Sequence, residues 1–536
     1  MKASKAAALF GAALLLYLIL VQPNHPLAMT WAALLLFPLE LPAILLGAIV
    51  VGQTRAGRVF RIVLTLVLTV LFVQKTADFI SFSALSRAFN PVTDLSLIEA
   101  FFRLLSGSLG WPLTLLATAA ALVATLAVAL GTWWALGVWI RWPLRGGLAR
   151  ATTPLALLAT ALAVAEIGDA LGRWSLPYDP PGAAFTARVG VERVQLIRDT
   201  RAELRHFRAL ASADPFAQTP PQFSAIDRDV LVIFVESYGR TSFDTPLYSD
   251  LHLATLARYS TELGQAGLSM RSGFLTSPTQ GGQSWLSHST FANGLWITNQ
   301  VSYAAALSSG RDTLYHYASE AGFRTAAVMP QITLDWPEAE LMGFEDVLVA
   351  ADLGYRGLPM NWVTMPDQFT LAALDRLIRT GDDPRHLFAQ VVLVSSHAPW
   401  VPVPEILPWD TIGDGTVYNE IATSGDPPEV VWRDRTRVRS QYRLALDYSL
   451  QAVLEYARLH ADDPPLILIV GDHQAAESIA LDARAEVPLH VIGPAALVDR
   501  LQSVAQTVGL IPAVDTPIAP METMRDVLLT AFEGRP

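Results

Sequence analysis

The sequence predicts two fold classes in one chain. An N-terminal all-α transmembrane bundle of five helices precedes an extracytoplasmic α/β sandwich domain with a mostly parallel central sheet. Three observations predict this. Hydrophobic residues make up 52% of the 536 residues and charged residues only 16%, and the apolar excess is concentrated in the N-terminal third. That third holds five apolar runs of about the ~20 residues a bilayer crossing needs. Beyond residue 223, short Val/Ile/Leu runs alternate with helical patterns, the signature of a parallel sheet covered on both faces. A net charge of −11 and the lack of a basic stripe exclude nucleic acid as a partner. The chain has no cysteine, so disulfides, thiolate metal sites and a cysteine nucleophile are excluded.

The five runs lie near 5–22, 28–52, 61–79, 111–140 and 153–171. The second contains Pro38, Glu40 and Pro42, which predicts a kink or a place inside the bundle. The first follows MKASK without a convincing small-residue cleavage site, which predicts an uncleaved helix. Basic residues gather at Lys2 and Lys5, at Arg55, Arg58 and Arg61, and at Arg141, Arg145 and Arg150. With five spans, all three clusters fall on one side. The amino terminus is then cytoplasmic and the large domain outside, in a multi-pass protein of the inner (plasma) membrane. LSLIEAFFRLLSGSLG (95–110) is amphipathic and fits either the membrane interface or the surface of the bundle. WSLPYDPPG, a charged helical stretch from Val191 to Leu210 and FAQTPPQF form a linker. The predicted domains are therefore 1–173, 174–222 and 223–536.

In the third domain strands are expected at 229–237, 324–330, 386–396, 464–472 and 487–494, with helices near 251–265, 311–321, 366–380 and 436–460. Ligands of such sheets sit outside the carboxyl ends of the strands. That rule selects Glu236 in VESYGR, His397 in SSHAPW, and Asp472 and His473 in VGDHQ. A further stretch, Leu268 to Trp296, reads as a strand, a loop with Gly281 and Gly282, and a helix from Ser284 closed by Asn293-Gly294. A serine at the first helical position lies beside unpaired N–H groups, where a phosphate or sulfate can be held while the hydroxyl attacks. The same serine also suits a plain helix cap.

One Glu, one Asp and one His at strand ends, with a serine oxygen from the Ser284 loop, make a four-ligand set for one divalent metal. Imidazole with hard oxygens suits Mn or Zn, and Mg less well. Such a metal lowers the pKa of the Ser284 hydroxyl and neutralises phosphoryl charge, while His397 stabilises the transferring group or protonates the leaving oxygen. Singly, Glu236 could cap a helix and Asp472-His473 could form a turn. His288 shares a helix face with Ser284, as a second base or substrate contact or as a structural histidine. His490, inside a strand, reads as structural. Gln283, Arg240 and Arg271 are close enough in sequence to touch a phosphate.

The order of these motifs, strand-Glu-Ser, Gly-x-Ser opening a helix, Ser-x-His after a strand and Gly-Asp-His after another, resembles the sulfatase-like branch of the alkaline phosphatase superfamily. With a five-helix anchor and an outward domain, the chain is similar to lipoteichoic acid synthases and to phosphoglycerol and phosphoethanolamine transferases. The resemblance implies Glu236, Ser284, Asp472 and His473 as metal ligands, Ser284 also as nucleophile where the synthases carry threonine, and His397 as a head-group contact. It also implies Trp336 in LDWPE as a substrate-pocket tryptophan. Three departures stand out. Glu338 occupies the position where the synthases have an arginine, the disulfides usual in phosphoethanolamine transferases are absent, and no Cys/Ser-x-Pro-x-Arg motif supports sulfate ester hydrolysis.

The expectation is a metal-dependent membrane transferase. It moves a phosphoryl-linked head group from a phospholipid, through Ser284, to a hydroxyl of an envelope glycan or lipid. The alternatives are a metal-dependent phosphodiesterase or phosphatase of the same fold, and a non-catalytic envelope binding protein.

Overall fold

The computed structural model describes every residue except 1, 86, 96–97, 99–101, 103–109, 143–146, 179, 219–222, 335, 362–363, 382 and 534–536. The predicted amphipathic segment 95–110 lies largely outside the described residues. The chain divides into two compact units, Met1–Leu204 and Arg205–Pro536.

In the first unit, four of the predicted spans are helices long and apolar enough to cross a membrane: Ser4–Val21, Arg55–Phe82, Trp111–Ile140 and Arg150–Ala170. These make the protein membrane-anchored. The expected fifth, 28–52, is corrected. It breaks into a short turn at Pro26–Ala28, a four-residue helix at Trp31–Leu34 and a twelve-residue helix at Glu40–Val51. Twelve residues rise ~18 Å, well short of the ~30 Å hydrocarbon core. The break sits at Pro38, which cannot donate to a helix. There the chain pairs instead with Ala183, whose N–H donates to Phe37 O while Leu39 N–H donates back to Ala183 O. Glu40 is buried, as its place between two prolines foretold, and its Oε1 accepts from Ala187 N–H at 2.9 Å. Lys75 is fully buried, and its ammonium donates to the carbonyls of Ile19 and Leu20 and to the Thr186 hydroxyl. It thereby satisfies end-of-helix carbonyls that have no partner within their own helix. Asp78 is paired with Arg193 at 3.0 Å.

The second unit is built on one sheet of nine strands among the described residues: β1 Val230–Val235, β2 Ser269–Thr276, β3 Arg324–Met329, β4 Asp346–Val349, β5 Leu387–Leu393, β6 Leu466–Gly471, β7 Glu486–Gly493, β8 Thr507–Val508 and β9 Ile518–Pro520. Their order is β4-β3-β5-β1-β6-β7-β2-β8, with β9 beside β2. The run from β4 to β6 is parallel throughout. The expectation of a mostly parallel sheet needs one adjustment, because β7 is antiparallel to β6, and β2 to both β7 and β8. The segment between β6 and β7 carries only the four-residue helix Glu477–Ala480, too little for a helical crossover, so β7 returns in the opposite direction.

Every residue of β1 and β6 is buried, as their unbroken VLVIFV and LILIVG runs require. Register then does the positioning. Val235 lies opposite both Leu393 and Gly471. The residues that follow these three strands therefore leave the sheet at one level, side by side.

Close approach at this level demands a glycine. A Cβ on Gly471 would lie 1.9 Å from the Tyr238 carbonyl oxygen, a backbone atom that cannot swing aside. Gly471→Ala is expected to destabilise the domain by about 3 kcal/mol or more, read as a fall in melting temperature or as failure to accumulate.

Candidate metal centre

The helix Ser284–Asn293 begins and ends where the sequence places it, with Gly294 in the left-handed conformation at its C-terminal cap. Its entry is tighter than two glycines alone would make it. Gly281 and Gly282 both have positive φ, and Gln283 follows at φ 66, a left-handed conformation that is strained for a residue with a Cβ. The Gly281 N–H donates to Gln474 O, tying this loop to the residue after His473. Ser284, half-buried at the first helical position, donates its hydroxyl to Glu236 Oε2 at 2.9 Å.

Ligand atoms of Glu236, Asp472 and His473 lie within 4.8 Å of one another, and all three side chains are buried. His473 Nε2 is 3.1 Å from Glu236 Oε1. Its Nδ1 bonds the Gln474 carbonyl at 3.0 Å, which fixes the ring and turns Nε2 toward the carboxylates. The Nε2 contact is close but poorly aligned, so that this nitrogen has no true hydrogen bond; Asp472 Oδ2 likewise has no partner. Two buried polar atoms left without partners beside a carboxylate and a serine oxygen fit a divalent metal.

The electrostatics agree. Burial pushes the Asp472 carboxyl well above its ordinary range, and the Glu236 charge beside it pushes the same way. Burial acts against ionised Glu236 too, yet the His473 charge beside it outweighs this and holds that carboxyl far down. Burial lowers His473, but the two carboxylates overcome it and raise the imidazole to about 9. Protons thus stand in for positive charge that a metal would supply.

Sequence reasoning missed the residues that aim the carboxylates. Ser237 sits at φ 57, where its N–H donates to Asp472 Oδ1 at 2.8 Å and its hydroxyl to Glu236 Oε1 at 3.1 Å. One strained residue therefore orients both acids. Ser277 Oγ donates to Asp472 O, and Ser396 Oγ to Glu236 O, pinning the two strand ends from below. Asp367 is fully buried and accepts from Val394 N–H, Ser395 N–H and the Ser449 hydroxyl, which braces the β5 exit. The signal for Ser237 was its place directly after Glu236; Asp367, on a distant helix, left none.

His397 is exposed at the β5 exit and close enough for its charge to act on Glu236. Its Nδ1 bonds Ala398 O at 2.6 Å, leaving Nε2 available. His288 lies in the interior against the Phe234 ring, 4.2 Å between centroids, and neither ring nitrogen has a hydrogen-bond partner. Burial lowers its pKa to about 3. Trp336 is half-buried before the short helix Pro337–Met342 and packs near Phe344; no hydrogen bond or ion pair joins it to the carboxylate cluster among the described residues. Arg240 is engaged by Asp244 and Glu486, and Arg271 by Asp499.

His490 is buried within β7 and bonds the Tyr238 hydroxyl at 2.9 Å. Burial drops its pKa to about 3, against 6.5 in an open chain. Unfolding therefore takes up a proton between those values, and stability falls as pH falls below ~6.5, by about 1.4 kcal/mol per unit. Denaturant melts from pH 7 to 5 should show a slope at least this steep, because His288 is lowered in the same way, and His490→Gln should reduce it by about 1.4 kcal/mol per unit.

Neither a protein-family model nor a curated protein matches the chain. Solved structures similar to it include the lipoteichoic acid synthase LtaP from Listeria monocytogenes, at 10% identity and TM-score 0.38 over 62% of this chain and 78% of that one. An alkaline phosphatase superfamily protein from Vibrio parahaemolyticus matches at 14% identity and TM-score 0.36, over 62% and 75%. Phosphoglycerol transferase GacH from Streptococcus pyogenes, in complex with sn-glycerol-1-phosphate, matches at 13% identity and TM-score 0.34, over 62% and 90%.

Proposed function

We propose that the protein is a metal-dependent membrane transferase that passes a phosphoryl-linked head group from a phospholipid, through a covalent Ser284 intermediate, to a hydroxyl of an envelope glycan or lipid. One observation carries this reading: the Ser284 hydroxyl, at a helix start, is bonded to a buried Glu236 that shares a three-residue cluster with Asp472 and His473. Glu236, Asp472, His473 and Ser284 would hold one divalent ion, Mn or Zn by their chemistry, which supplies charge to the phosphoryl oxygens.

In the first step Ser284 Oγ forms a bond to phosphorus and the bond to the diacylglycerol oxygen breaks. The proton of the half-buried Ser284 hydroxyl passes to water, and His397 protonates the leaving oxygen. In the second, the acceptor oxygen bonds to phosphorus, Ser284 leaves and recovers a proton from water, and His397 takes the acceptor's. Gln283 and Trp336 are the proposed head-group contacts. His288, being interior, is assigned the wall behind the cluster.

The basic clusters support a cytoplasmic amino terminus and an outward domain: Lys75, well into the helix that Arg55 opens, meets the carbonyls of Ile19 and Leu20 near the end of the first span, which supports Arg55 lying at the same end as Lys2 and Lys5. Anchoring keeps the domain near a donor that cannot leave the bilayer.

The test is the full-length protein in vesicles with head-group-labelled phospholipid, metal, and an envelope glycan present or absent. Label on the glycan supports transfer. Label released to water makes the protein a hydrolase, and no diacylglycerol release by metal-loaded protein sinks the enzyme reading.

A further inference from the structure

Beyond β5 the chain passes Ser395, Ser396 and His397 into a loop where Trp400 takes φ 60, a left-handed conformation that is costly for a bulky side chain. Trp400 is buried, its Nε1–H donates to Ser396 O at 2.6 Å, and its ring meets the Tyr442 ring edge-on at 5.4 Å. The Tyr442 hydroxyl in turn donates to Ser237 O. Trp400 is thus locked to the strand ends that carry His397 and Glu236.

Against Trp400 lies Trp432, its ring plane 5° away and its centroid at 5.7 Å. The Trp432 Nε1–H donates to Pro399 O at 3.3 Å, and yet 48% of the residue is exposed. An indole fixed by a stack and a hydrogen bond, with its remaining surface in water, has lost its freedom before any ligand arrives.

We propose that Trp432 is the platform of a carbohydrate subsite that holds the hydroxyl acceptor beside His397. This deepens the transferase reading and rests on it for the sugar's role as acceptor. A pyranose turns a face of C–H groups to one side and carries its hydroxyls around the rim. A flat, rigid indole covers that face and leaves the hydroxyls hydrated. An acyl chain needs a concave slot, which one planar ring does not provide. A cationic head group gains little from one exposed indole and more from a desolvating cage of rings, but the second ring here backs the first. Pro399, on which the indole hangs, is two residues from His397, a reach of at most ~7 Å.

The experiment is saturation-transfer NMR on the full-length protein in lauryldimethylamine oxide, a detergent without a sugar head group, with chitotriose and maltotriose as probes and choline as a counter-probe. Saturation is expected to reach the C–H protons of one ring face of a sugar. Trp432→Ala should weaken that binding about tenfold, a change of ~1.4 kcal/mol. Trp432→Phe, with a smaller ring, should retain part of it, and both variants should melt like the parent. Transfer to neither sugar, transfer unchanged in Trp432→Ala, or Trp432-dependent transfer to choline alone would each overturn the proposal. The readout does not depend on turnover. Sugar binding without head-group transfer would remove the reaction and leave the subsite; transfer without Trp432-dependent sugar binding would do the reverse.

Discussion

Ser284→Ala is expected to lower head-group release by about 10⁴-fold or more, because a nucleophile's loss cannot be offset by the remaining groups. The fold should survive. Ser284 opens its helix half-buried, and its hydroxyl donates to Glu236 Oε2 at 2.9 Å. Losing that bond costs about 1 kcal/mol. Intact mass of the full-length protein, taken after brief exposure to metal and phospholipid, checks the point directly. The parent chain should carry an adduct whose mass equals the transferred group, and the variant none. An adduct that persists in Ser284→Ala would place the covalent chemistry on another residue. No adduct in either, with turnover intact in the parent and lost in the variant, would leave Ser284 essential but direct attack by the acceptor as the route.

That Ser284 could be singled out from sequence reflects how local its signals are. A strand, two glycines, a serine at helical spacing from Leu286 and Phe291, and a closing Asn-Gly are each short-range statements, and the helix runs over just those residues. The strand-end residues were legible for a similar reason. Unbroken Val/Ile/Leu runs announce buried parallel strands, and the residue that ends such a run stands at the sheet's carboxyl edge. What was not legible depends on register and on distant partners. Nothing in the sequence says that Val235 pairs with both Leu393 and Gly471, and that pairing alone brings Glu236 beside Asp472. Ser237 acquires its role only after that juxtaposition exists. The short strands β4, β8 and β9 carry too few residues to show a period. The miscounted fifth span fails on the same ground: its composition is apolar enough, but Pro38 and the pairing with Ala183 divide it, and hydropathy alone is blind to a partner 145 residues away.

Asp472→Asn is expected to abolish the metal response while leaving the metal-free protein as stable as the parent, or more so. Asp472 Oδ1 accepts from Ser237 N–H at 2.8 Å and from His473 N–H at 2.6 Å, and an amide oxygen can accept both. Burial, with the Glu236 charge next to it, pushes the Asp472 carboxyl toward its neutral form in the absence of metal, and a neutral amide escapes that penalty. The amide nitrogen replaces the unpartnered Oδ2 and can donate to Glu236, which the second carboxylate could not do when ionised. With metal the balance reverses. At a metal concentration about 1,000 times the dissociation constant the parent gains ~4 kcal/mol, seen as a higher melting temperature, and the variant should gain almost none because its fourth donor is neutral. A melting temperature that rises equally in both would show that the metal is held elsewhere. Comparison with Ser284→Ala then separates two roles of the serine. If metal still raises the melting temperature of Ser284→Ala but not of Asp472→Asn, Glu236, Asp472 and His473 hold the ion and the serine is chiefly a nucleophile. If both variants lose the response, the serine oxygen is a ligand in its own right, and its activation and the metal's retention are a single event.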